Sequence, residues 1–328
     1  MNGQGRARTR KKDLNMKINR QIKFFCIFLT LLTFLLTACG CPQRYQVSDN
    51  PPPLPLCPVV EKPVHLALVL GGGGARGLAH VGVIEVFQEA KIPIDLIVGC
   101  SAGSIVGAIY ADCPDITHLK DVFLGLHNDY LIDFDIWNAH MGLCQGRTLR
   151  RFLQNTLNAE TFEELQIPFF LVATDLYSSE LVTIGGGPLV PAIEASSAIP
   201  FIFVPVELHG RAFVDGGVID PVPVRVARHF ESEIIVVVDL RGLLPPTFPS
   251  NLFGVAARSA EIALLWQSEG CLQHADVVIR PELDEFGTFD DKNEEIYEAG
   301  RKAAFEALPQ IWELLSCPEE RDINHVIN

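Results

Sequence analysis

The most constraining feature of the sequence is a serine between two glycines, in residues Gly99–Gly103 (GCSAG), where an apolar run ends and a helical pattern begins. The run Asp95–Val98 predicts a short strand, and Ala102–Tyr110 predicts the helix that follows it. A serine in this strand–turn–helix context has the form of a nucleophile elbow, in which glycines let the two backbones approach closely. The pattern therefore predicts Ser101 at the carboxyl edge of a sheet, beside a helix N-terminus that favours developing negative charge.

A glycine-rich turn, Gly71–Gly77 (GGGGARG), precedes this serine. The apolar run Val64–Leu70 before the turn predicts a buried strand, and Leu78–Glu89 after it predicts a helix. Adjacent backbone N–H groups in such a turn can stabilise an oxyanion that develops beside Ser101. The two motifs together are typical of an enzyme that cleaves acyl esters, provided that Ser101 has a base.

The same turn has a second interpretation, because Gly72, Gly74 and Gly77 match the G-x-G-x-x-G fingerprint of dinucleotide-binding proteins. That fingerprint requires an acidic residue at the end of the second strand, about 20 residues further on, to bind a ribose. Asp95 has roughly this spacing but precedes its strand, which ends instead at Ser101. The oxyanion interpretation is therefore favoured.

Histidine is the usual base for a catalytic serine, and in α/β-hydrolases it follows the serine in the chain. The histidines after Ser101 are His118, His127, His140, His209, His229, His274 and His325. None lies in an obvious glycine-flanked catalytic turn. His274 is the least unsuitable of them, although its position is typical of a histidine at the surface or at a helix end.

A carboxylate offers the other possibility for a base. Asp215 ends the apolar run Phe213–Asp215 and is followed by Gly216 and Gly217. A desolvated carboxylate within hydrogen-bond reach of a serine can take the serine proton directly. An ordinary Asp-Gly turn is the alternative interpretation.

Through the order of these motifs, the chain resembles the patatin-like phospholipase family. Within that family it is similar to bacterial proteins akin to the catalytic domain of neuropathy target esterase. The matching segments are Gly71–Gly82 (GGGGARGLAHVG), Gly99–Gly103, Ala195–Pro200 with Phe203–Val206, and Val214–Gly217 with Pro221–Pro223. The resemblance covers roughly residues 63–280.

The resemblance implies a three-layer α/β fold with a central, mostly parallel sheet between helices. It implies a catalytic Ser101–Asp215 dyad without histidine, and no metal or cofactor. The implied oxyanion hole consists of Gly73, Gly74 and Ala75, with Arg76 nearby. The other motif glycines are Gly72, Gly77, Gly99, Gly103, Gly216 and Gly217.

The activity implied by the resemblance is that of a serine acyl hydrolase of the phospholipase A or lysophospholipase type. Its substrate would be a phospholipid or lysophospholipid, cleaved through an acyl-enzyme. A non-catalytic, membrane-anchored lipid-binding lipoprotein is the alternative from another class. The sequence departs from the family pattern at Phe201, where glycine is frequent, and at Asp220, where asparagine is common. Phe201 is expected to reshape the acyl pocket.

Several residues near these motifs are interpreted as structural. His80, on the helix after the glycine turn, is predicted to be packed rather than catalytic. Cys100 is expected to point into the sheet, and Thr174–Leu176 is expected to cap a turn. The further predicted elements are strands at Phe169–Ala173 and Ile234–Val238 and helices at Arg147–Leu157, Leu252–Cys271 and Glu294–Leu315.

The N-terminus has the pattern of an export signal. Residues 1–38 hold 8 Lys or Arg and a single acid, Asp13, and Phe24–Leu36 is a 13-residue apolar run. Such a run is short for a membrane span but fits a signal peptide. Leu36–Cys39 (LTAC) resembles a bacterial lipobox, after which Cys39 would carry lipid, and Met16 is an alternative start. An uncleaved anchor is the other interpretation.

These patterns divide the chain into a signal peptide (1–38), a lipidated, proline-rich tether (39–62) and a hydrolase domain (63–328). Removal of residues 1–38 would take away 8 of the 26 basic residues and one of the 40 acidic residues. The formal net charge would then change from −14 to about −21. That charge argues against nucleic acid as a partner and against adsorption to anionic lipid. A lipid-anchored protein of the bacterial cell envelope is expected, with Cys41 and Cys57 able to pair in an oxidising compartment. Gly40 after Cys39 favours the outer membrane, where the source has one.

Overall fold

The computed structural model describes residues 45, 47–48, 50–55, 60, 63–125, 132–135, 141–241, 249–250, 252–286 and 292–316. The predicted signal peptide (1–38), the lipidation site Cys39 and the possible Cys41–Cys57 pair lie outside the described residues.

The described chain alternates strands and helices. Its strands are β1 Leu66–Leu70, β2 Leu96–Gly99, β3 Phe169–Asp175, β4 Leu181–Ile184, β5 Val206–Leu208, β6 Arg211–Asp215, β7 Ile234–Val238 and β8 Val277–Ile279. Its helices are α1 Leu78–Glu89, α2 Ala102–Asp112, α3 Ile116–Leu124, α4 Arg147–Thr156, α5 Leu189–Ser196, α6 Val224–His229, α7 Leu252–Leu272 and α8 Asn293–Ser316. Short 3₁₀ turns follow β1 at Gly74–Gly77 and β6 at Gly216–Val218.

The strands form one eight-stranded mixed sheet. Its centre is parallel, in the order β3-β2-β1-β7-β8. Strands β4 and β6 pair antiparallel with β3, and β5 pairs antiparallel with β6. The carboxyl ends of β1, β2 and β7 therefore open at the same edge of the sheet, which is where ligands bind in open α/β folds.

The position of β6 follows from the three partners of β3. Strand β2 pairs with Phe169–Leu171 and β6 with Ala173–Asp175, while β4 overlaps both registers from 171 to 174. Because a strand has two edges, β4 occupies one and β2 and β6 share the other, end to end. They run towards each other, so the carboxyl end of β6 meets the carboxyl end of β2.

The sheet is buried on both faces. In β1, Leu66, Leu68 and Leu70 pack into one core cluster, and Ala67 and Val69 into another. The first cluster includes side chains of α1, α2, α4, α5 and α8, and the second includes side chains of α6 and the end of α7. This alternation along a fully buried strand produces three layers, and it confirms the predicted α/β fold.

The strands and helices predicted around the two motifs are present with small shifts at their ends. Helix α1 and strand β7 have the predicted bounds, and the predicted helix Arg147–Leu157 ends one residue earlier. Three short strands, β4, β5 and β8, were not predicted, because each has only three or four residues. Segments this short carry little periodicity.

The predicted tether contacts the domain before residue 63. The Tyr45 hydroxyl donates to the Pro205 carbonyl (3.1 Å), and the Ser48 N–H donates to the Gly210 carbonyl (2.9 Å). Leu54 packs against the first core cluster. Within the described residues, contacts with the domain are therefore already present at Tyr45, inside the segment predicted to be a tether.

None of the described helices is both long enough and apolar enough to cross a membrane.

Helices α1 and α8 pack at a very short distance. A Cβ atom on Gly300 of α8 would overlap the carbonyl oxygen of Ala79 in α1. We therefore expect Gly300→Ala to lower the free energy of unfolding by about 1–3 kcal/mol, since overpacking forces the two helices apart. Urea unfolding measures the change.

The matched control is Gly270→Ala in α7, where an added Cβ would meet no atom within 4 Å. It should stabilise the protein by up to about 1 kcal/mol, because alanine favours helix over glycine. Equal effects of the two substitutions would contradict the close packing of α1 and α8.

Candidate active site

Ser101 lies at the turn between β2 and α2, as the motif predicts, with φ 51° and ψ −120°. Serine rarely adopts this left-handed backbone region. Three other serines hold Ser101 in this conformation through hydrogen bonds to its backbone. The Ser101 N–H donates to Ser196 Oγ (3.1 Å). The Ser101 carbonyl accepts from Ser104 Oγ (2.6 Å) and Ser197 Oγ (3.3 Å). Strained backbone that the surroundings maintain in this way is typical of functional sites.

The second glycine of the elbow is required by close packing. A Cβ atom on Gly103 would overlap the carbonyl oxygen of Leu70, at the end of β1. Only glycine therefore lets α2 begin this close to the sheet, with its N-terminus behind Ser101.

Asp215 ends β6 and reaches Ser101 from the opposite direction. Its carboxylate interacts with the Ser101 hydroxyl, accepts the Gly217 N–H at 2.7 Å, and lies 3.9 Å from Cys100 Sγ. Burial raises the pKa of Asp215 to about 6, although these hydrogen bonds act in the opposite direction. The side chain is therefore a desolvated carboxylate that is ionised at neutral pH, as a general base must be.

The glycine turn passes directly beside Ser101, since a Cβ on Gly72 would lie 3.4 Å from Ser101 Cβ. The N–H groups of Gly71 and Gly72 donate to carbonyl oxygens outside the turn (3.0 and 2.9 Å). Among the described residues, no acceptor pairs with the N–H groups of Gly73 and Gly74. These two donors directly follow Gly72, the residue that lies beside the serine.

Two side chains fix the glycine turn. Arg76, which with Ala75 lies in the 3₁₀ turn, donates from Nε to the Phe286 carbonyl (2.9 Å). His80 is fully buried with Nε2 2.8 Å from the Gly71 carbonyl oxygen. Burial lowers the pKa of His80 to about 4, so the neutral ring donates this hydrogen bond. His80 is packed, as predicted, and also anchors the first residue of the turn.

The dinucleotide interpretation fails on the position of Asp95. Its Oδ2 accepts the N–H groups of His65 and Leu66, both at 2.9 Å. These residues lie at the amino end of β1, on the opposite edge of the sheet from the glycine turn. Asp95 is therefore a structural cap and is remote from any ligand bound at the turn.

The described histidines are separate from the elbow. His274 is exposed and precedes the amino end of β8, at the edge of the sheet opposite Ser101. Among the described residues, no histidine forms a hydrogen bond with Ser101. The candidates His127, His140 and His325 lie outside the described residues.

Asp175, at the end of β3, caps a turn as expected. Its carboxylate accepts the Tyr177 N–H (2.9 Å) and the Arg211 guanidinium (2.9 Å). Burial would raise the pKa of Asp175, but these hydrogen bonds outweigh it and lower the pKa. A carboxylate stabilised in this way is a weak base.

The two departures from the family pattern lie in different environments. Phe201 is 85% exposed, so it lies on the outer surface and does not reshape an enclosed acyl pocket. Asp220 is buried, and its Oδ1 accepts the Val222 N–H at 3.3 Å.

Sequence reasoning gave no role to the hydroxyls of Ser196 and Ser197, which hold the elbow, or to the thiol of Cys100 beside Asp215. Cys100 is buried in the core, as expected. The serines lie within a matching segment, but a hydroxyl that binds a backbone group has no spacing signature.

Within the described ranges, no group of three or more His, Cys, Asp or Glu side chains could hold a metal ion.

Known proteins of several organisms are similar to this chain. Residues 68–228 match the family model described as patatin-like phospholipase. The chain is 29% identical over 279 residues to a patatin-like phospholipase domain-containing protein of Caenorhabditis elegans, covering 75% of this chain and 21% of the relative. It is 35% identical over 179 residues to an uncharacterised NTE family protein of Mycobacterium bovis (54% and 49%). It is 30% identical over 280 residues to Lysophospholipase nte1 of Neurospora crassa (76% and 18%). The chain thus spans at most about half the length of these relatives.

The buried Asp215 should lower stability at neutral pH. Its pKa is raised from 3.8 to about 6 in the folded state, so ionisation disfavours folding. The cost is absent below pH 4, grows between pH 4 and 6, and reaches about 3 kcal/mol above pH 6. We expect Asp215→Asn to be more stable than wild type at pH 8 and equal to it at pH 4 in urea unfolding.

The same titration should control turnover, with wild-type kcat/KM rising as the pH increases through about 6. A destabilised Asp215→Asn at pH 8, or a stability difference that does not vary with pH, would contradict this assignment.

Proposed function

Through residues 68–228 the chain belongs to the patatin-like phospholipase family, and we propose that it is a serine acyl hydrolase that cleaves fatty-acyl esters of membrane lipids. The observation that carries the proposal is the pairing of Ser101, at a strained elbow, with the buried carboxylate of Asp215, where the carboxyl ends of β2 and β6 meet. The N–H groups of Gly73 and Gly74, which have no acceptor in the described part of the chain and follow the residue beside the serine, support it further.

The reaction begins when Asp215 takes the proton of Ser101 as Oγ attacks the ester carbonyl. The N–H groups of Gly73 and Gly74 bind the oxyanion of the tetrahedral intermediate. One such donor contributes a factor of about 10²–10³ in rate. Protonated Asp215 then gives its proton to the departing alcohol or lysolipid, which leaves an acyl-enzyme on Ser101.

The second half of the reaction reverses these roles. Asp215 takes a proton from water, which attacks the acyl-enzyme carbonyl, and the oxyanion returns to the glycine turn. Collapse of the intermediate releases the fatty acid, and Ser101 recovers its proton from Asp215. Only residues of this chain are needed to move the protons.

We propose phospholipid or lysophospholipid as the substrate. The relative in Neurospora crassa is named a lysophospholipase, and a single-chain lipid presents one acyl ester to the serine. The rate of fatty-acid release from each of the two lipid classes, measured in one assay, shows which class is the better substrate.

The decisive variants are Ser101→Ala and Asp215→Asn in the full chain. We expect each to release fatty acid from lysophosphatidylcholine micelles about 10³-fold more slowly or worse, because nucleophile and base act as a unit. A fluorophosphonate probe should label wild type and fail to label Ser101→Ala.

Asp175→Asn is the matched control, since Asp175 also ends a buried strand but caps a turn. It should retain activity within a few-fold while losing stability. Activity that survives in Asp215→Asn would refute the dyad. A folded wild type that binds lipid vesicles but neither reacts with the probe nor hydrolyses lipid would favour the non-catalytic lipoprotein.

For the N-terminal part, we propose a signal peptide at 1–38, lipidation at Cys39, and a bacterial cell-envelope location, the outer membrane where one exists. The support is the basic, apolar and LTAC pattern of the sequence. Metabolic labelling with palmitate should mark wild type, and Cys39→Ala should be unlabelled. Cys41→Ala, two residues away, is the control and should remain labelled, whereas labelled Cys39→Ala would refute the lipid anchor.

A further inference from the structure

Five exposed apolar residues form a group that we call the apolar rim: Phe134, Met141, Leu143, Phe201 and Val218. Phe201 and Phe134 are the most exposed of them, at 85% and 65%. Scattered apolar residues are normal on a protein surface, whereas a cluster of them marks an interaction site.

Three segments that carry the rim are joined by backbone hydrogen bonds. Phe134 forms an antiparallel bridge with Cys144. The N–H of Leu143 donates to the Phe201 carbonyl (3.2 Å), and the N–H of Cys144 donates to the Ile202 carbonyl (2.7 Å). These exposed side chains therefore come from neighbouring segments of the surface.

That surface adjoins the Ser101–Asp215 pair. The Asp215 N–H donates to the Ala198 carbonyl (2.9 Å), and Phe201 follows three residues later, within about 11 Å of extended chain. Val218 follows Asp215 by three residues in the 3₁₀ turn. The rim is thus connected to the proposed base from both sides.

Phe201 is held in a conformation that a bulky side chain avoids. Its φ is +69°, in the left-handed region, and its ring gains no compensating burial. Hydrogen bonds around it maintain this geometry: the N–H groups of Ile202 and Phe203 donate to the Ile199 carbonyl (3.1 and 2.9 Å). Strain retained at an exposed aromatic residue indicates a functional contact.

Charges close to the rim already have partners. Asp133 accepts the N–H groups of Gly146 and Arg147 (2.8 and 3.1 Å). Asp135 lies 3.8 Å from the Arg147 guanidinium. Neither carboxylate would be left unpaired by an approaching apolar surface.

We propose that the apolar rim inserts into the surface of a lipid bilayer or micelle, so that an acyl chain passes from lipid to Ser101 along apolar side chains. The proposal rests on the proposed hydrolase function. A lipid surface fits better than a protein partner because the proposed substrate is itself a membrane lipid, whose acyl ester must reach Ser101. The formal charge, −14 for the full sequence and about −21 without residues 1–38, gives no attraction to anionic lipid, so apolar contact must supply the affinity. This contact is separate from a lipid on Cys39.

The first test measures depth of insertion and is independent of turnover. It uses the full chain with Ser101→Ala, carrying either Phe201→Trp or Phe305→Trp. Phe305 is the matched control, because it is a 70% exposed phenylalanine on α8. On vesicles of brominated phosphatidylcholine, we expect the fluorescence added by Phe201→Trp to be quenched and that added by Phe305→Trp to be unchanged. Equal quenching of the two would overturn the proposal, whatever the catalytic activity.

The second test compares two substrates in the full chain. Phe201→Ala should slow hydrolysis of phosphatidylcholine vesicles about tenfold, the effect of losing one inserted phenyl ring. It should change hydrolysis of a soluble short-chain ester by less than about twofold, as should Phe305→Ala for both substrates. Equal losses of activity on both substrates would overturn the proposed insertion of the apolar rim into lipid. The proposed hydrolase function would not be affected. No activity on either substrate in wild type would instead refute the proposed function.

Phe201→Gly separates a lipid contact from a structural role. Glycine relieves the positive φ, so Tm should be unchanged or about 2–4 °C higher, while vesicle hydrolysis falls as in Phe201→Ala. A lower Tm with unchanged vesicle hydrolysis would show that Phe201 stabilises the fold and does not contact lipid.

Discussion

Two strands share one edge of β3, and the rest of the site depends on this arrangement. Gly99 of β2 pairs with Leu171, and Asp215 of β6 pairs with Ala173. Two residues along a strand span about 7 Å, so the carboxyl ends of β2 and β6 face each other across that gap. Ser101 leaves one end and Asp215 occupies the other. Residues far apart in the chain thus meet because β6 runs back towards β2 along the edge that β2 leaves free.

The site accepts an electrostatic cost that the rest of the fold must offset. Asp215 and Asp175 both end buried strands, yet burial raises the pKa of Asp215 to about 6 while hydrogen bonds lower that of Asp175. Asp175 accepts the Tyr177 N–H and pairs with the Arg211 guanidinium, whereas no cation pairs with Asp215 among the described residues. A carboxylate left without a cation keeps its basicity. Stability comes from elsewhere, including α1 and α8, where Tyr297 and Arg301 donate to the buried Glu85.

Much of this could be predicted from sequence, because local rules govern it. The buried run Ile234–Val238 and the helix Leu78–Glu89 have the predicted bounds, since long apolar or amphipathic segments leave a clear pattern. The elbow was predictable from GCSAG, where close packing demands glycine. Asp215 was singled out among the carboxylates by the family resemblance and not by any periodic pattern in the sequence.

The remaining features depend on contacts between distant segments. Nothing in the sequence around His80 indicates that its ring binds the Gly71 carbonyl. The shared edge of β3 arises from strands of three to seven residues whose registers are set only when they pair. Phe201 was expected at an acyl pocket but lies on the surface, because its exposure is decided by the backbone hydrogen bonds of its neighbours.

The most direct test of the account is a crystal structure of the full chain after reaction with a fluorophosphonate. The account predicts phosphorus bonded to Ser101 Oγ, with the phosphoryl oxygen about 2.7–3.1 Å from the N–H groups of Gly73 and Gly74. It also predicts Asp215 still adjacent to Ser101 Oγ. An adduct on another residue, or a phosphoryl oxygen directed away from the glycine turn, would contradict the assigned active site.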